Sequence, residues 1–224
     1  MAFNYLDDHW NDEQRKKFNT LEYKEFAPVY YGYAIEDDLQ NHLLKNHEAS
    51  VKLNSFFDSL GVYRPKDKSG LILNTYFNYT NQEQLELQHQ VENVKAYWKP
   101  IEDCEKSIKA KAIKTYSSFK VNDAIAIRLP VDEHNNAIDF ECPDNSWVFR
   151  EGEDLEVTAI LIEKSITKDS LDASFKLKLL NKSNNDTEIL YQEIYEGNSF
   201  TIPLSNSWKI SQIKPTNETE TINL

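Results

Sequence analysis

The sequence predicts an α+β protein, with an N-terminal all-α domain followed by a C-terminal antiparallel β-barrel or sandwich-like domain. One change of spacing along the chain carries this reading. Apolar residues recur at three-and-four spacing up to Pro100, and at every second position after about Lys120. The 224 residues, 40% hydrophobic and 12% aromatic, suffice for two modest cores.

Leu53, Phe56, Phe57 and Leu60 fall on one helical stripe, which Gly61 can end with a left-handed cap. Pro65 suits a first helical turn, and Leu71, Ile72, Leu73, Tyr76 and Phe77 continue that helix to about Thr80. Leu87, Val91, Val94 and Trp98 mark another, which Pro100 is expected to stop. Weaker patterns predict helices around Tyr5 to Phe18 and Asp37 to Asn46. The boundaries then read as a helical domain over 1–100, a charged linker over 101–112, a β domain over 113–213 and a mobile tail over 214–224.

In the second half Val121, Asp123, Ile125, Ile127 and Leu129 share one face of an extended segment, and Phe175, Leu177 and Leu179 alternate with lysines. Segments at 137–141, 155–164, 187–194, 199–204 and 208–213 behave alike, giving about seven short strands.

The net charge is −12, with acid exceeding base on both sides of residue 100. That balance opposes phosphate backbones and anionic headgroups, so neither nucleic acid nor membrane is expected as a partner, whereas a basic protein is. Residues 1–8 lack the basic and apolar stretches of a signal peptide. Two cysteines, Cys104 and Cys142, are too few for a disulfide scaffold, and the expectation is free thiols in the cytoplasm.

The five glycines are too widely spread for a P-loop, a dinucleotide fingerprint or a nucleophile elbow. No cofactor and no metal site is expected: His42 and His47, five apart, lie on different faces of an α-helix, and Asp38 with His42 gives only two ligands. Cys104 and Cys142 read as packed thiols more than as nucleophiles. A carboxylate and histidine enzyme would draw on Asp7, Asp8 or Asp38 with His9 or His42.

Binding is the leading expectation. Tyr30, Tyr31 and Tyr33 precede Glu36, Asp37 and Asp38, which combines rigid aromatic area with charge suited to a cationic partner. A helix packing those tyrosines inward accounts for the same residues. Trp147, Phe149 and Trp208 are candidates for a recognition surface at a barrel mouth, or for core filling.

Leu60-Gly61-Val62-Tyr63-Arg64-Pro65-Lys66-Asp67-Lys68-Ser69-Gly70-Leu71-Ile72-Leu73 resembles the turn-and-helix signature of a bacterial family of helical domains of unknown function. Tyr5 to Trp10 and Lys95 to Lys99 extend the resemblance over about residues 1–99; between Gly32 and Asp38 an acidic position replaces a basic one. The resemblance implies a helical fold and no particular activity. In physical terms the motif is architecture, with Gly61 capping, Pro65 fixing the turn, and Asp67 or Ser69 placed to accept from the next helix's first amides. The function expected is a non-enzymatic protein-binding module, most concretely a bacterial immunity protein neutralising a basic toxin. The alternatives are the carboxylate and histidine enzyme, or a barrel that binds a small ligand or peptide.

Overall fold

The computed structural model describes residues 2–20, 39–144, 146–167 and 172–213. The chain forms two compact units, Met1–Lys99 and Pro100–Leu224. Among the described residues the first unit holds α1 (Ala2–His9), α2 (Asp12–Asn19), a π-helix (Leu39–Asn46), α3 (Ser50–Ser59), α4 (Pro65–Thr80) and the start of α5 (Leu87–Ser118). The second holds the rest of α5 and seven strands: β1 (Ala124–Leu129), β2 (Asn136–Ala137), β3 (Leu155–Ile166), β4 (Ala173–Lys182), β5 (Glu188–Ile189), β6 (Ser199–Pro203) and β7 (Lys209–Gln212).

In the helical unit, α3 ends as its sequence requires. Gly61 has φ 79°, Val62 N donates to Phe57 O and Gly61 N to Asp58 O, the paired bonds that close a helix through a left-handed residue. A Cβ on Gly61 would meet only the movable end of the Lys95 side chain, at 2.9 Å from Cε, so it is the left-handed conformation that calls for glycine here. Of the expected stripe only Phe57 is buried, and Phe56 lies 46% exposed. Pro65 opens α4, where no side chain caps the first turn. Asp67 Oδ2 instead accepts from Trp98 Nε1 at 2.8 Å, and Ser69 Oγ donates to Lys66 O at 2.9 Å. The Arg64 guanidinium lies 3.2 Å from the Trp98 ring centroid, so the motif grips α5 through one indole. Burial raises the Asp67 carboxyl above its ordinary value of 3.8, against the lowering effects of Trp98, Arg64 and Lys66.

The expected linker is helix: α5 continues through Pro100 to Ser118. Ile101, Cys104, Ile108 and Ala112 repeat at three, four and four, a stripe that the surrounding charges hide, and Glu102–Lys106 and Glu105–Lys109 add i,i+4 pairs of the favourable order. Proline forfeits one backbone bond, yet the helix continues on that stripe. Ala112 and Phe119 are buried in the second unit's core, with Tyr116 packed against it.

The sheet is antiparallel in the order β6-β4-β3-β1-β7. β6 and β7 are its edges, so it is an open sheet and not the barrel the strand count suggested. Alternation sets the register. Ile125, Ile127 and Leu129 of β1 stand with Leu155, Val157, Ala159 and Leu161 of β3 and with Phe175, Leu177 and Leu179 of β4 on one buried face. Val121, expected on the same face, precedes β1 and is exposed. β2 and β5 pair in parallel as a small second sheet.

The two cysteines are joined, Cys104 to Cys142, which corrects the expectation of free thiols. Proximity in the fold made the pair; thirty-eight residues separate them in the chain. The segment around Cys142 is tied down again by Asp139, whose Oδ1 accepts from Ser207 N and Oγ, and by Trp208 Nε1, which donates to Ile138 O at 2.7 Å.

Candidate functional site

Tyr30, Tyr31, Tyr33, Glu36, Asp37 and Asp38 lie outside the described residues. Trp147 is half-buried and held in place: its Nε1 donates to Ser207 O at 3.2 Å, and Lys209 Nζ lies 4.6 Å from its ring centroid. Trp208 is a core residue. The three aromatics therefore do not make a common recognition face. Phe149 does line a cavity of about 530 Å³ with Arg128, Glu156 and Thr187, but Arg128 there pairs with Glu156 at 2.7 Å and stacks 4.6 Å from Phe149.

Asp7, an expected catalytic carboxylate, accepts a hydrogen bond from the buried Tyr76 hydroxyl, and Asp8 faces solvent. Burial, then the Asp7 contact, raises the Tyr76 phenol above its ordinary value of 10.0.

Among the described residues, one exposed element that folding does not explain is the turn between β5 and Gln192. Ile189 and Gln192 exchange both backbone hydrogen bonds, at 3.0 and 3.1 Å, closing a two-residue hairpin over Leu190 and Tyr191. Both central residues are left-handed, with φ 54° and 58°. Such turns favour Asn-Gly, because a side chain in that region costs about 1–2 kcal/mol per residue. Leu190 recovers part of this by packing against the sheet core. Tyr191 does not, since it is 83% exposed.

Tyr195, 58% exposed, stands four residues on and donates to Glu193, a contact that raises its phenol above 10.0. From 183 to 208 the sequence holds Asp186, Glu188, Glu193 and Glu196 and no lysine or arginine. Lys182, just before, is buried with its Nζ on Thr187 O at 2.8 Å, and desolvation lowers it below 10.5. The arrangement is two displayed phenols in an acidic stretch of the chain, with the Lys182 ammonium in electrostatic reach of Asp186 and Glu193. Sequence reading missed it because 187–194 looks like a continuous strand; the sole cue was a bulky pair in the middle of a polar, glycine-poor stretch.

Three histidines also come together. His9, His42, His47, Tyr5 and Asn46 line a cavity of about 330 Å³. The segment holding His42 is wound as a π-helix, with His47 N donating to His42 O at 2.7 Å. Under i→i+5 winding, residues five apart stack on one face, which corrects the α-helical argument that separated them. Among the described residues no group of three His, Cys, Asp or Glu side chains is placed to hold a metal ion.

Residues 1–80 match the family model of a domain of unknown function (DUF6794). The match takes in the motif at 60–73 and the histidine cavity, stops short of Lys95 to Lys99, and covers just over a third of the chain. No curated protein and no solved structure matches the chain. Among the described residues no helix is long and apolar enough to cross a membrane.

Proposed function

We propose that the protein is a binding module whose sheet unit docks a basic protein through Tyr191, Tyr195 and the carboxylates around them. The observation that supports this most is the turn at Leu190-Tyr191, where an exposed tyrosine occupies a backbone conformation that disfavours it. Strain held in the absence of a packing gain is a mark of function, and tyrosine is over-represented among the residues that dominate protein interfaces. The excess of the four carboxylates over the buried Lys182 beside them gives the partner its sign. In the toxin-neutralising form of this reading, expected from the sequence, the partner is a basic bacterial toxin.

The test is a photo-crosslinking phenylalanine at position 191 in the producing cell, followed by titration of the captured protein, once purified, against Tyr191→Gly. Capture of a basic protein that binds Y191G about tenfold or more weakly, with affinity falling as salt rises, is the expected result. Capture of nothing, or equal affinity for Y191G, ends the proposal.

The disulfide bears on location. The cytoplasmic expectation rested on free thiols together with the opening residues' lack of a signal-peptide pattern, and a bridge of this kind persists in oxidising compartments; on the bridge we propose such a compartment for the folded protein. Protein taken from its own cell should then resist thiol alkylation until a reductant is added, and immediate labelling of both cysteines would return it to the cytoplasm.

A further inference from the structure

The histidine cavity of the helical unit has a donor and acceptor set that its hydrogen bonds fix. His9 Nδ1 lies 2.9 Å from Tyr5 O, and a carbonyl only accepts, so this nitrogen carries a proton. His9 Nε2 is then a lone pair in the neutral ring and an N–H in the charged one. His47 is the reverse. Its Nδ1 accepts from Ala49 N at 3.1 Å, so the neutral ring carries its proton on Nε2. Tyr5 holds both rings, stacked on His9 at 4.0 Å between centroids and edge-on to His47 at 5.6 Å.

Among the described residues the lining includes no carboxylate, lysine or arginine, and Tyr5 and His42 are its other titratable groups. The charged residues nearest in sequence are engaged or outward: Asp7 accepts from Tyr76, Lys45 donates to Asn41 Oδ1 at 3.0 Å, and Asp8 and Glu48 face solvent. A metal ion would need a lone pair on His47 Nε2, which the Ala49 contact denies it.

We propose that this cavity binds the phosphate group of a small molecule. One phosphate oxygen accepts from His47 Nε2–H. A second shares a proton with His9 Nε2, either as P–OH donating to the neutral ring or as an ionised oxygen accepting from the charged ring; the two descriptions contain the same atoms and one proton. Free imidazole and free phosphate each lose a proton near neutrality. The complex therefore takes up a proton from solution above that range, and its affinity falls about tenfold per pH unit there.

The experiment uses the full chain and inorganic phosphate, followed through the imidazole resonances of His9 and His47. Saturable shifts of both rings below about 10 mM phosphate are expected, with affinity dropping about tenfold between pH 7.5 and 8.5. His47→Leu and His9→Leu should each weaken binding about tenfold while the helical circular dichroism stays unchanged, and His9, being exposed, is the safer of the two for folding. No shift at about 10 mM phosphate, an affinity that does not change with pH, or Zn²⁺ saturating both rings at one equivalent and displacing phosphate would each overturn the proposal.

Discussion

The buried and half-buried lysine, tyrosine and tryptophan donors of the two units find different kinds of acceptor. In the helical unit side chain meets side chain: Lys68 Nζ reaches Asp58 at 2.7 Å and Asn54 at 2.8 Å, Tyr76 donates to Asp7, and Trp98 donates to Asp67. In the sheet unit side chain meets backbone. Trp208 donates to Ile138 O, Trp147 to Ser207 O, Lys164 to Phe119 O and Lys182 to Thr187 O. A backbone acceptor survives any substitution of its own residue, whereas a side-chain acceptor does not. For these long donors the helical unit thus depends on matched pairs and the sheet unit on single donors placed by its topology, whereas the smaller Ser69, Thr75 and Asn78 of the helical unit bond backbone carbonyls and Ser207 of the sheet unit pairs with Asp139.

The largest effect expected is Trp208→Ala, which removes a 2%-exposed indole from the sheet core and orphans Ile138 O, at about 4 kcal/mol in denaturant unfolding. Replacing both cysteines by serine should cost about 2–4 kcal/mol, since the bridge closes a thirty-eight-residue loop. Lys68→Met should cost about 2 kcal/mol, less than for a wholly buried pair because the Asp58 side chain is 48% exposed and regains water. The double variant with Asp58→Asn should then be more stable than the sum of the single losses, by about 1 kcal/mol. Strict additivity would show that the pair contributes nothing specific and would break the contrast.

Alkaline pH sharpens the contrast, because the two units respond with opposite sign. Tyr76 is raised above 10.0, so the stability it contributes is complete below that value and is lost as pH rises through the raised one. Lys182 is lowered below 10.5, so its contribution is present above that value and is lost as pH falls through the lowered one. Native-state hydrogen exchange between pH 9 and 11 should show the protection of α4 declining relative to that of β4. With Tyr76→Phe the decline should disappear.

How much of this the sequence discloses follows the same division. The sheet strands were legible because alternation is a local signal, and Ile125, Ile127 and Leu129 fall where it put them. Closure into a barrel was not, since whether β6 meets β7 depends on twist and register over the whole sheet. Gly61 and Pro65 were legible as punctuation, but the partners of Asp67 and Ser69 were not, because pairing with Trp98 crosses thirty-one positions. The histidine pair was hidden by assuming an α-helical period for a segment wound as π. The disulfide was hidden by counting cysteines, which says nothing of where the chain brings them.

Of the functional claims, the role of Tyr191 is open to a direct measurement on the isolated protein. If the turn holds tyrosine for a partner and at a cost to folding, Tyr191→Gly relieves left-handed strain while losing little packing, and the protein becomes about 0.5–1 kcal/mol more stable. If Y191G is instead less stable than the native chain, the tyrosine belongs to the fold, and the binding surface proposed for the sheet unit loses its support.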